Sequence, residues 1–293
     1  MTRPFRRASL ILVIAAGFLV AGISSFEALL APGAELLPHW TAVDAENDET
    51  ISHKSWTGFL EKYRESHYDG IARLAYHRVT GDDQQKLASY ISKLQAMPVS
   101  TLNRDEQFAF WVNLYNAVTV QLILQHQPVE SIKEINISPG IFSSGPWEKK
   151  LLRIEGEKLS LNDIEHGILR PIWKDPRIHY VLNCASLGCP DIPAKALESS
   201  TDLDEQLNLA ARQFIDHPRA VSISKDNDAV ISSIYVWFKE DFGQSDAAIL
   251  EHLRNYASDE KRDQLMKVRD LTDHRYDWKL NSVPVVTTAS TDS

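Results

Sequence analysis

Cys184 and Cys189 are the only cysteines of the 293-residue chain, and both fall in Asn183-Cys184-Ala185-Ser186-Leu187-Gly188-Cys189-Pro190. A cysteine followed by small residues at the end of a regular element can present its sulfur to a carbonyl. It needs an imidazolium or a helix amino terminus nearby to favour the thiolate. His166 and His179 precede it, Glu165 adjoins the first of these, and Glu106 lies farther upstream. Together they have the residue types of a thiol-dependent hydrolase or acyl transferase. Cys184 would attack, and His166 or His179 would serve as general base. Glu106 or Glu165 would orient the imidazole, and Asn183 would help donate to an oxyanion. Substrates would be peptide, amide or ester bonds.

The same residues have plainer uses. Two cysteines five apart in an exported chain can form a disulfide, with Gly188 and Pro190 giving the turn. So short a loop is worth only roughly 2 kcal/mol by chain entropy. The thiols can also be buried as small apolar groups. Cys-x4-Cys with scattered histidines is a weak zinc pattern, so metal ranks third and no cofactor is expected. Walker, dinucleotide-glycine, His-Glu-x-x-His and Gly-x-Ser-x-Gly patterns are absent from the sequence, which removes the best-marked nucleotide, metalloprotease and esterase readings.

The elements that must position these groups read as mostly helical. Ser52–His67 and Asp82–Met97 read as helices, the second stopped by Pro98. Asn103 caps Arg104–His126, closed by Pro128, and its apolar residues lie almost all round it, so it should be buried. Glu106 and Asn113, with Asn116 beside them, then need polar partners. For the two asparagines, tying neighbouring backbone together is the expected role. Ser160 begins a helix to Arg170 on which Asn162, His166 and Arg170 form one stripe. Gly167 inside it costs about 1 kcal/mol relative to Ala and points to close approach of another backbone beside His166. Ile178–Asn183 reads as a strand with His179, Val181 and Asn183 on one face. Cys184 then has the opposite parity, which makes His166 the freer partner unless the strand bends by Asn183.

Thr201 reads as the cap of a helix over Asp202–Asp216. Ala220–Ser224 and Ala229–Ser232 read as a hairpin, with short helices at Ile234–Asp241 and Ala247–Ala257. The fold class is helix-rich α+β: one domain over 51–280 with a buried central helix and a small antiparallel sheet. Residues 27–50, with Pro32, Gly33 and an acidic run, read as a linker, and Asn281–Ser293 as a loose tail.

Arg3, Arg6 and Arg7 precede an uncharged run, Ala8–Phe26. A basic start before an apolar run of about bilayer-spanning length marks residues 1–26 as a signal peptide or membrane anchor. The positive-inside rule then puts the body in the periplasm, with membrane contact only through this segment. Apolar residues at 43% and charged residues at 24% are ordinary globular usage. A net charge of −9 argues against nucleic acid as a partner. Partners would be an envelope protein, peptide or polymer.

Three ordered blocks, Phe110–Ala117, Ser160–Arg170 and Asp175–Pro190, with a weaker one at Ile234–Gly243, resemble the family called domain of unknown function 547 (DUF547). The resemblance spans about 85–257 and implies one fold unit. It does not choose a reaction, because the family's activity is not established. Related domains occur in bacterial envelope proteins and, with coiled-coil segments, in plants. A non-enzymatic envelope module with Cys184 and Cys189 as a disulfide is therefore the competing expectation.

Overall fold

The structure, a computed structural model, describes residues 31–139 and 145–285. The expected signal or anchor lies outside them, as does the tail from 286 onward. Among the described residues no helix is long and apolar enough to cross a membrane. The chain divides into two compact units, where the sequence had suggested one body over 51–280. One is built from Pro218–Tyr276 and the other from Ala34–His217 with the chain from Asp277 onward.

The larger unit is organised around one helix. It contains α1 (Lys54–Tyr63), α2 (Gly81–Gln95) and α3 (Arg104–His126), with antiparallel hairpins β1 (Arg64–Ser66) with β2 (Ala72–Leu74) and β3 (Leu152–Ile154) with β4 (Glu157–Leu159). There follow a π-helix (Asp163–Leu169), α4 (Arg170–Trp173), α5 (Ile178–Val181) and α6 (Leu203–Asp216). On α3, every residue from Glu106 to Val120 is buried. Asn103 caps it, its side-chain oxygen accepting the Glu106 N–H at 2.9 Å. Trp111 meets Trp40 edge-on at a centroid separation of 5.0 Å and Phe110 at 4.9 Å. Each such buried ring contributes about 1.5–3 kcal/mol by removal from water.

Trp40 belongs to the stretch expected as linker, where it is buried while most residues of 34–50 are exposed. Asn103 Nδ2 donates to the Asn47 carbonyl at 2.8 Å, and Gln107 Nε2 to that of Ala42 at 3.0 Å. The start of the expected tail is likewise tied in. The N–H groups of Leu280, Asn281 and Val283 bond the carbonyls of Glu130, Ala185 and Leu74.

The helix started by Ser160 forms, with a reciprocal cap. Ser160 Oγ accepts the Asp163 N–H at 3.2 Å, and the Asp163 carboxylate accepts the Ser160 N–H at 2.5 Å. Its winding is π rather than α. The Arg170 N–H bonds the Glu165 carbonyl five residues back, which releases the carbonyl of His166. Pro171 has no N–H, which releases the carbonyl of Gly167. Both released groups are taken by the incoming chain, from the Glu35 N–H and the Leu37 N–H, each at 2.9 Å. A Cβ on Gly167 would stand 2.7 Å from Leu37 Cδ1 and 3.6 Å from the Glu35 carbonyl oxygen, so the close approach at this glycine's Cβ position is by a side chain rather than by the backbone expected.

Ile178–Asn183, expected as a strand, is instead the helical turn α5 followed by extended Leu182. Asp175 starts the turn, its carbonyl accepting the Ile178 N–H at 3.1 Å and its carboxylate the Arg177 N–H at 2.8 Å. Ile178, His179, Tyr180 and Val181 are all buried, so branched and aromatic composition here records burial, not extended backbone. Asp202, rather than Thr201, caps α6.

In the smaller unit β5 (Val221–Ile223) and β6 (Ala229–Ser232) form the expected antiparallel hairpin. β7 (Leu271–Arg275) adds to β6 in parallel. Short helices α7 (Ile234–Trp237), α8 (Asp246–Tyr256) and α9 (Asp259–Leu265) complete it. Helix-rich units with small, mostly antiparallel sheets agree with the α+β class.

Candidate functional site

Residues 182–190 form a loop whose backbone is braced from three sides. Asn116 on α3 donates to the Val181 carbonyl and accepts the Asn183 N–H, both at 2.8 Å. Asn183 spans the loop mouth, its Nδ2 donating to the Pro190 carbonyl at 2.7 Å and its Oδ1 accepting the Ala185 N–H at 2.9 Å. Asn281 arrives from the far end of the chain. Its N–H donates to Ala185 at 3.0 Å, its Nδ2 to Asn183 Oδ1 at 3.2 Å, and its Oδ1 accepts the buried Tyr76 hydroxyl at 2.9 Å. The Leu187 and Gly188 N–H groups bond the carbonyls of Lys279 and Asp277, each at 2.8 Å.

This bracing holds Ala185 at φ 59°, a left-handed conformation that costs a residue with a Cβ of order 1 kcal/mol and that recurs at functional sites. Cys184, immediately before it, is partly exposed, and Cys189 is buried. The Cys184 N–H donates to Cys189 Sγ at 3.0 Å. Cys184 Sγ lies 2.6 Å from Cys189 Sγ and 3.3 Å from Ser186 Oγ.

Beside the loop a carboxylate meets an imidazole. Glu165, from the π-helix, accepts the Tyr115 hydroxyl of α3 at 3.0 Å on one oxygen. Its other oxygen lies 3.8 Å from His179 Nδ1 on α5. Burial first, and then the negative fields of Glu165, Cys184 and Cys189, push the Tyr115 phenol well above its ordinary range. Burial and the fields of the two cysteines do the same to Tyr76. Both phenols therefore stay protonated and act as donors.

Of the residues expected at a site, then, Glu165 and His179 are brought together, and Cys184 lies in the loop that follows α5. His166 has a different neighbour. Arg170 donates to its Nδ1 at 3.0 Å, and since guanidinium can only donate, that ring nitrogen is an acceptor and its lone pair is engaged. Glu106 is placed with other groups. Its carboxylate accepts the Ile51 N–H at 2.8 Å and the Ser199 hydroxyl, which makes it a buried tie between segments. Asn113 clamps Leu197 through both its carbonyl and its N–H, as expected of it. Asn183, expected as an oxyanion donor, has its amide engaged across the loop instead. The replacement of strand by helical turn removes the parity objection to His179. Tyr76, Tyr115 and Asn281 were not anticipated. Tyr115 stood on a legible helix, but the 205-residue separation of Tyr76 and Asn281 leaves no local signal.

Residues 99–215 match the family model described as protein of unknown function, DUF547. The chain resembles that family over a segment holding Tyr115, Glu165, His179 and both cysteines. Tyr76, Asn281 and the Ile234–Gly243 block lie beyond it. No curated protein and no solved structure matches the chain.

Proposed function

We propose, starting from that resemblance to a family without an assigned reaction, that this chain is a thiol-dependent hydrolase or acyl transferase. The carrying observation is the Glu165 carboxylate set between the Tyr115 hydroxyl at 3.0 Å and His179 Nδ1 at 3.8 Å, with the cysteine loop, braced from three sides, following α5. In this reading His179 is assigned an Nδ1–H facing Glu165, 3.8 Å away, and Nε2 as the base. In this reading that nitrogen takes the proton of Cys184, whose sulfur attacks an acyl carbon, and returns it to the leaving group. Glu165 stabilises the imidazolium formed in between. The N–H groups of Cys184, Ala185, Leu187, Gly188 and Cys189 are bonded within the protein. Ser186 Oγ, 3.3 Å from the Cys184 sulfur, is the group this reading assigns to the oxyanion in place of Asn183. The basic, apolar amino-terminal segment supports export and a periplasmic site, with peptide, amide or ester bonds of the envelope as substrates.

Iodoacetamide labelling of the reduced protein at neutral pH tests this. Cys184 should react faster than a small free thiol, and a rate no faster removes the nucleophile. The sulfur contact at 2.6 Å favours a second reading, an envelope binding module in which the pair is a permanent disulfide. That reading predicts equal losses of melting temperature from Cys184→Ser and Cys189→Ser. It fails if Cys184→Ser abolishes function with stability intact.

A further inference from the structure

The two sulfurs differ in a way that neither a permanent disulfide nor a lone nucleophile requires. Cys184 is partly exposed, whereas Cys189 is buried and receives the Cys184 N–H at 3.0 Å. The loop that keeps them side by side is closed without any sulfur–sulfur bond, by Asn183 to Pro190 at 2.7 Å, by Asn281 to Ala185 at 3.0 Å and by the Leu187 and Gly188 bonds to Lys279 and Asp277. Forming or breaking a covalent link would therefore leave the fold in place. An outer sulfur that meets a reagent and an inner one that follows it is the division of labour of thiol–disulfide exchange.

We propose that Cys184 and Cys189 are a reversible redox couple that exchanges with disulfides and gates the site. The inference rests on the reading above only in that Cys184 is the sulfur being gated. Cys184 thiolate attacks one sulfur of a disulfide RSSR, forming a mixed disulfide and expelling RS⁻. Cys189 thiolate then attacks Cys184 sulfur, forming the internal bond and expelling the second RS⁻. The two thiol protons pass to the two leaving thiolates, so the pair loses two electrons and RSSR gains them. In that state Cys184 has no thiolate with which to attack an acyl group. A dithiol reductant runs the sequence backwards and restores it.

The full-length reduced protein is treated with oxidised glutathione and followed by intact mass and by iodoacetamide labelling. Wild type should lose two hydrogens, keep no glutathione and lose labelling at Cys184. Dithiothreitol should restore the labelling in the folded state. Cys189→Ser should retain one glutathione on Cys184. Should that variant fail to fold, the lifetime of the adduct on wild type decides the matter, since the resolving thiol makes it transient. A lasting adduct on wild type, or an internal bond that dithiothreitol opens only in denaturant, overturns the couple. Sluggish labelling of reduced Cys184 alongside a working cycle would instead sink the hydrolase reading and leave the couple standing.

Discussion

Glu106 and Glu165 illustrate how two buried carboxylates of one chain come to different uses. Glu106 accepts a backbone N–H and a serine hydroxyl, both neutral donors that nothing in the loop shares. Glu165 faces a phenol and an imidazole, the second of which can act as a base. Replacement should separate them. Glu106→Gln is expected to lower stability by about 1–3 kcal/mol in denaturant titration, the cost of an unsatisfied buried group, without slowing labelling of Cys184. His179→Gln should slow that labelling by about 100-fold at neutral pH, the scale of general-base assistance, with a smaller change in stability. Equal labelling rates in the two variants would detach the imidazole from the sulfur. At this scale much was legible: the residue types and the tying role of Asn113 and Asn116 stood in the sequence, whereas the bracing by Asn183 and Asn281 did not. Which glutamate served which purpose did not, because partners such as Ser199 and Tyr115 are chosen by packing.

Elements were legible where local chemistry decided them and misread where burial did. The cap at Asn103 and the stop at Pro128 bound α3 as expected. The turn at Ile178–Val181 was hidden because a fully buried helical turn and a short strand share the same composition. The π-helix sits between these cases. Gly167 and Pro171 are four apart, so the proline withholds the N–H that the glycine carbonyl would accept in an α-helix. That pair signals an irregular winding, and the docked Glu35–Leu37 segment makes use of it. Gly167→Ala should therefore displace Leu37 rather than gain helix propensity. We expect a loss of about 1–3 kcal/mol, as for overpacking, where an ordinary helical glycine would gain about 1 from alanine. Amide exchange at Glu35 and Leu37 should rise in parallel. An alanine variant more stable than wild type would show that the contact yields freely.

At the scale of the whole chain, the segment matching the family model leaves out groups on which its cysteine loop depends. Ending the chain at Tyr276 would remove the partners of the Ala185 carbonyl and of the Leu187 and Gly188 N–H groups. Such a truncation should make the amides of 185–189 exchange faster and lower the melting temperature. Unchanged protection would mean that the loop holds itself. Acid should act through a different part of the larger unit. His53 is buried, with Nδ1 2.6 Å from the Tyr90 hydroxyl and Nε2 without a partner among the described residues. Burial lowers its pKa from the ordinary 6.5 to about 4. Below pH 6.5 the unfolded chain takes up a proton at this residue that the folded chain refuses until about pH 4. Its contribution is thus complete above 6.5, falls as pH drops through that window, and is flat below it, amounting to about 3 kcal/mol. Asp69, paired with Arg73, and Asp83, bonded to Lys62 and Lys86, are held below the usual carboxylate range, and their losses come at lower pH. Unfolding free energies measured from pH 7 to pH 4 should therefore decline before the carboxylates titrate. His53→Gln, which cannot take up the proton, should flatten that part of the curve, and an unchanged slope would assign the decline to another group.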